Sequence, residues 1–94
     1  MGPERKFRNK ITPLLKKIPC SWWESIQQVA IRGTPDIIGC VQGRFVALEL
    51  KAEAGRPSQL QELKLKKIID SGGYARVVYP DNFNEVHKEL TCLK

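Results

Sequence analysis

Two apolar runs, residues 36–41 and 44–51, are separated only by Gln42-Gly43, and this spacing constrains the chain more than any other feature. Two residues suffice to reverse an extended chain and leave no room for anything else, so the runs predict adjacent antiparallel strands joined by a tight hairpin. The register follows from the turn. Val41 faces Arg44, and stepping outward pair by pair puts Asp36 directly opposite Glu49.

The flanking segments extend the pattern. Downstream, residues 54–57 read as a turn, and Ser58 caps a helix that runs to about Ser71, where Gly72-Gly73 stop it. A strand over 74–79 follows, then Pro80-Asp81-Asn82 and a last helix over 82–92 with Phe83, Val86, Leu90 and Leu93 on one face. Asn82 and Glu85 have capping-box spacing. Upstream, Phe7, Ile11, Leu14, Leu15 and Ile18 make one face of a helix over 4–18. Pro13 either kinks that helix or opens a second short one capped by Thr12. A strand over 22–29 comes next. The order is α-β-β-β-α-β-α. The helix before the last strand is long enough for a crossover, which makes its two flanking strands parallel and the others a meander. The expected fold is α/β, a mixed sheet flanked by helices, in one domain over 1–94.

With 94 residues, 41% of them apolar and 28% charged, the chain has the composition of a small globular domain. No stretch reaches the ~20 apolar residues of a membrane span, and the first residues are charged where a signal peptide is apolar, so a cytoplasmic protein is expected. Cys20, Cys40 and Cys92 form no C-x-x-C pair, which predicts reduced, mostly buried thiols and neither a disulfide framework nor a structural zinc site. The net charge of +6 is concentrated at one end. Arg5, Lys6, Arg8, Lys10, Lys16 and Lys17 stand against Glu4 alone in the first segment, while the remainder is almost balanced. A basic helix of this kind suits nucleic acid or an acidic membrane surface, and it also serves simple solubility.

Against that background the Asp36–Glu49 pairing is notable. Facing side chains on antiparallel strands lie on one side of the sheet, and the strand's period of two adds Lys51 to the same side. Two carboxylates some 5 Å apart repel by about 3 kcal/mol at an effective dielectric near 20. A proton or Lys51 can offset this; so can a hard divalent cation held by both acids and the Leu50 carbonyl between them. A plain surface patch of strand charges is the alternative. Two more polar residues point the same way. Gln61 falls on the inward stripe that Leu65, Ile68 and Ile69 define, where a buried amide needs partners. Glu4 continues the stripe of Phe7 and Ile11.

Pro35-Asp36 followed by Glu49-Leu50-Lys51 on the next strand resembles the PD-(D/E)xK nuclease signature, and the element order is similar to that family's restriction-endonuclease-like αβββαβ core. More narrowly, residues 32–38, 47–51 and 58–61, followed by a helix ending in Gly72, resemble the VRR-NUC family in the short stand-alone form typical of phages and bacteria. The resemblance covers roughly residues 1–80 and implies a Mg²⁺- or Mn²⁺-dependent DNA endonuclease related to Holliday junction resolvases and acting as a homodimer on branched DNA such as junctions or flaps, within a bacterial or phage-infected host cell. It implies that Asp36, Glu49 and the Leu50 carbonyl hold the metal and that Lys51 orients or helps activate the attacking water and stabilises charge on the phosphate. Gln61 would support the site, and Glu4 matches the acid of the family's first helix. Arg5, Lys6, Arg8, Lys10, Arg32 and Ser58 are the expected DNA contacts. Leu60 and Leu63, which fall off the inward stripe, are placed at a subunit interface. His87 is expected at the boundary of the core.

The competing class is a non-catalytic nucleic-acid-binding module, for which Trp22-Trp23 would stack on bases. Core and sheet packing is the other use of those two rings.

Overall fold

The hairpin forms in the expected register. In the computed structural model, which describes residues 2–27, 31–52 and 55–93, the elements run α1 (Pro3–Lys16), β1 (Ser21–Ser25), β2 (Ile37–Val41), β3 (Arg44–Leu50), α2 (Gln59–Asp70), β4 (Tyr74–Val78) and α3 (Phe83–Thr91). Gln42 and Gly43 both adopt the left-handed backbone, φ 53° and 80°, the two-residue turn whose twist matches that of the strands it joins. Val41 faces Arg44 and Ile37 faces Leu48. The sheet order is β1-β2-β3-β4, antiparallel across the first three strands and parallel between β3 and β4. The protein is therefore α/β, a four-stranded mixed sheet flanked by helices in αβββαβ order with one further helix. Among the described residues no helix is long and apolar enough to cross a membrane.

Alternation along the strands sorts the side chains onto two faces. Trp23, Ile37, Val41, Val46, Leu48, Leu50 and Val78 pack against Phe7, Ile11 and Leu15 of α1 and Phe83, Val86 and Leu90 of α3, forming the main core. Gly39 is required there: a Cβ on it would lie 2.4 Å from the Trp23 ring. The opposite face carries Ala47 and Ala75 under Leu65 of α2. That helix lies mainly over β4 and β3. Trp22, Cys40 and Phe45, which pair across β1, β2 and β3, lie beyond it, and Trp22 is 56% and Phe45 45% exposed.

Several expectations need correction. α1 is one helix running through Pro13, and Thr12 does not cap a second: its hydroxyl donates to the Arg8 carbonyl at 2.7 Å. Burial of Ile11 and Leu15 on both sides of the proline holds the helix together. Leu14 lies at the margin of the apolar stripe and is exposed. So is Ile69, because α2 sits close over small alanines along a narrow contact made by Leu65 and Ile68, and Ile69 lies about 40° beyond Leu65 and about 100° from Ile68. β1 ends at Ser25, although the Ile26 N–H still donates to the Asp36 carbonyl at 2.8 Å. The expected end of that strand at Val29 and the start of the 54–57 turn lie outside the described residues. No capping box opens α3. Asn82 instead ties down the preceding turn, accepting from the Tyr79 N–H at 2.7 Å and donating to the Val77 carbonyl at 3.2 Å. The cysteines are free but not mostly buried: Cys20 and Cys92 sit at exposed element ends and Cys40 is half-buried on the open sheet face.

Candidate active site

β2 starts and β3 finishes at the same end of the sheet. Asp36 immediately precedes β2, and its Oδ2 accepts from the Leu50 N–H at 2.8 Å, extending the hairpin's bonding beyond the last strand pair. That bond fixes the carboxylate over the end of β3. Glu49, next to Leu50 and on the α2 side, is only 2% exposed. Lys51 approaches the Glu49 carboxylate with its Nζ 3.8 Å from Oε2. The Lys51 N–H donates to the Val78 carbonyl at 3.0 Å, so alternation turns the backbone of Leu50, carbonyl included, toward the Asp36 side.

Helix α2 supplies the fourth member. Ser58 and Gln61 form a reciprocal capping box: the Ser58 Oγ accepts from the Gln61 N–H at 3.1 Å and the Gln61 Oε1 accepts from the Ser58 N–H at 2.8 Å. With its oxygen engaged, the amide presents Nε2 to Glu49 and donates to Oε2 at 2.9 Å. The apolar stripe locates Gln61 without its capping role, for which the Ser-x-x-Gln spacing of residues 58–61 is the signal.

The electrostatics are unbalanced. Glu49 Oε1 is buried without a hydrogen-bond partner, and an unpaired carboxylate oxygen out of water is costly. Burial, and then the charge and hydrogen-bonding reach of Asp36, push the Glu49 carboxyl up to about 8 against the lowering effect of Lys51, with Glu4 adding to the upward push. Without a metal Glu49 therefore keeps its proton over most of the physiological range. A divalent cation between them would replace that proton and satisfy Oε1. The donor set of two carboxylates and a carbonyl is hard oxygen throughout and fits Mg²⁺ or Mn²⁺. Among the described residues no three His, Cys, Asp or Glu side chains gather as a metal-ligating group.

Asp36, Glu49, Leu50, Lys51 and Gln61 are thus brought together. Glu4 is exposed at the first turn of α1, within electrostatic reach of Glu49. Arg5, Lys6, Lys10 and Arg32 are exposed. Ser58 is exposed too, and its hydroxyl is engaged as the cap of α2. Arg8 departs from the exposed set: it is half-buried, with Nη2 3.4 Å from Asp36 Oδ1. A helical-wheel signal for this exists, since Arg8 lies about 20° from the buried Leu15. His87 packs its ring on Phe83 at 5.7 Å, a boundary position.

Comparison of the chain with protein-family models, with curated proteins and with solved structures finds no match. The functional reading rests on the residues themselves.

Proposed function

We propose that the protein is a Mg²⁺- or Mn²⁺-dependent DNA endonuclease of the PD-(D/E)xK type. The observation that carries this reading is the buried, unpartnered Glu49 Oε1 beside a second carboxylate, with a lysine on the same side of the sheet. Asp36, Glu49 and the Leu50 carbonyl would hold the cation, which when bound acidifies water and polarises the phosphate. The other work falls to side chains. Gln61 holds Glu49 Oε2 and leaves Oε1 for the ion. Lys51, 15% exposed and fixed beside Glu49, puts preorganised positive charge where an extra negative charge develops on the phosphorus oxygens, and it can hold the attacking water. The exposed Arg5, Lys6 and Lys10 give the phosphate backbone a basic track on α1.

Preference for branched DNA and action as a homodimer with two sites come from the likeness to the VRR-NUC family, and a cytoplasmic place of action from the charged first residues and the lack of a long apolar stretch in the sequence. Exposure of Leu60 and Leu63, 41% and 48%, is compatible with a subunit contact. The test incubates the protein with four-way junctions, flaps, linear duplex and supercoiled plasmid, with and without Mg²⁺ or Mn²⁺. Metal-dependent cleavage that disappears in Asp36→Ala and Lys51→Ala is expected. Cleavage that survives in both variants overturns the site.

One observation favours a second reading, a non-catalytic nucleic-acid-binding module. Trp22 and Phe45 stand exposed in one row of the open sheet face, an arrangement on which unpaired bases could stack. Salt-sensitive DNA binding with no cleavage in either metal would establish it.

A further inference from the structure

The two cations nearest the acids are placed differently. Lys51 directly follows the strand that carries Glu49, whereas Arg8 comes from α1, on the other face of the sheet, and reaches round its end to Asp36. Its contact is poor for a guanidinium. The Nη2 to Oδ1 distance of 3.4 Å is long for a charge-assisted hydrogen bond, which is commonly about 2.8 Å. Its Nε is buried and has no partner at all. A planar fork of donors is thus held against a single carboxylate oxygen, with part of its donor capacity out of water and unused. The other oxygen of the same carboxylate is committed to the Leu50 N–H. Oδ1 is therefore the atom that Arg8 and an incoming cation would both claim.

We propose that Arg8 is the phosphate-binding residue of this site, held on Asp36 in the metal-free protein and released to a DNA phosphate when a divalent cation takes that carboxylate. This rests on the metal-site reading above and adds an order of events to it. A guanidinium and a divalent ion cannot both sit on Oδ1 without strong like-charge repulsion, so metal entry frees the fork. A phosphate offers the pair of oxygens that the single contact to Asp36 does not, and it accepts the parallel N–H bonds for which guanidinium is shaped. Before metal arrives, the same arginine neutralises Asp36 and keeps the acid pair folded without an ion. Arg8 thus competes with metal but cooperates with DNA. A merely structural arginine would support both, and an arginine of the exposed basic track would affect DNA alone.

The experiment measures Mn²⁺ binding without DNA and, separately, cleavage at saturating Mn²⁺, for the wild type, Arg8→Gln, Arg8→Lys and Lys10→Gln. Arg8→Gln is expected to bind Mn²⁺ about three- to tenfold more tightly, since a half-buried competing charge is removed. Its cleavage is expected to fall about 10- to 100-fold with KM for DNA raised, because a bidentate phosphate contact is lost. Arg8→Lys keeps the charge without the fork, so its Mn²⁺ affinity stays near wild type while cleavage is only partly restored. Lys10→Gln weakens DNA binding and leaves Mn²⁺ affinity unchanged. Unaltered or weaker Mn²⁺ binding by folded Arg8→Gln overturns the proposal, as does undiminished cleavage. If Arg8→Gln does not fold, Arg8→Lys decides alone, and wild-type cleavage in it overturns the proposal. Failure of the wild type to bind Mn²⁺ at all overturns the metal-site reading itself, a separate and distinguishable result.

Discussion

Beside α3, Arg76 of β4 meets Glu89 at 2.8 Å and Glu85 at 3.1 Å, and the Tyr74 hydroxyl donates to Glu89 at 2.5 Å. At the end of β3, by contrast, Lys51 stands 3.8 Å from Glu49 and Arg8 3.4 Å from Asp36, and Glu49 Oε1 has no partner. Both clusters hold two acids and at least one base. The first closes its bonds at short distance near solvent, where exposed pairs contribute little and cost little. The second buries an acid that its own neighbours do not satisfy. A chain tolerates such an arrangement where something absent from the chain completes it, so the contrast separates a fastening from a candidate site.

The most severe way to break the comparison is Glu49→Gln, which keeps the shape and removes the charge. Cleavage and Mn²⁺ binding are expected to vanish, a loss of about a thousandfold or more in rate if the ion is essential. Stability in EDTA at pH 8 should rise in the same variant, measured as the urea midpoint, because a buried carboxylate is gone. Arg76→Ala serves as the counterpart with neither effect on catalysis.

The next effect is on stability against pH. The folded protein keeps the Glu49 proton up to about pH 8, while the unfolded chain releases it near the ordinary 4.5. Between those values the unfolded state binds fewer protons, so the metal-free protein should lose stability as pH rises from 4.5 toward 8 and level off above, by an amount on the order of a few kcal/mol. Thermal melts in EDTA across that range, with Glu49→Gln as the flat reference, check the slope. Mn²⁺ binding below pH 8 should release a proton, which calorimetry in buffers of different ionisation enthalpy would register.

Smaller effects sharpen the contrast at Gln61. Gln61→Glu retains an oxygen for the Ser58 N–H but puts an acid where Glu49 needs a donor, so cleavage should fall about tenfold. Gln61→Ala loses both bonds and should also cost α2 about 1 kcal/mol, seen in the urea midpoint. Smallest is Arg76→Ala, expected to lower stability by about 1 kcal/mol and leave cleavage unchanged.

The sheet and most of the site were legible because they depend on local rules. A two-residue turn that can go left-handed sets the β2–β3 register, and register alone carries Asp36 to Glu49 and Leu50. Gln61 was legible as a polar residue on an apolar stripe. What stayed hidden depends on how elements end and how far they reach. Glu4 is near the middle of the α1 stripe by angle, yet it is exposed in the first turn of the helix. Arg8, at the stripe's edge, looks like the other basic residues of α1 until the helix is laid across the sheet and its side chain turns the corner to Asp36. Asn82 has the spacing of a cap and spends its amide on the turn before the helix, a choice that depends on where β4 places the Val77 carbonyl.

Gly39 and the strand it faces have a practical consequence. The missing Cβ lets Trp23 lie flat in the core at 5% exposure, its indole N–H bonded to the Ser21 hydroxyl at 3.0 Å, while alternation turns Trp22 outward. Two adjacent indoles therefore emit from opposite environments. Iodide should quench the red component from Trp22 and leave Trp23 alone, and anything that settles on the open sheet face should shift only Trp22 to the blue. The chain thus carries, within one dipeptide, separate optical reporters of its integrity and of its uncovered surface.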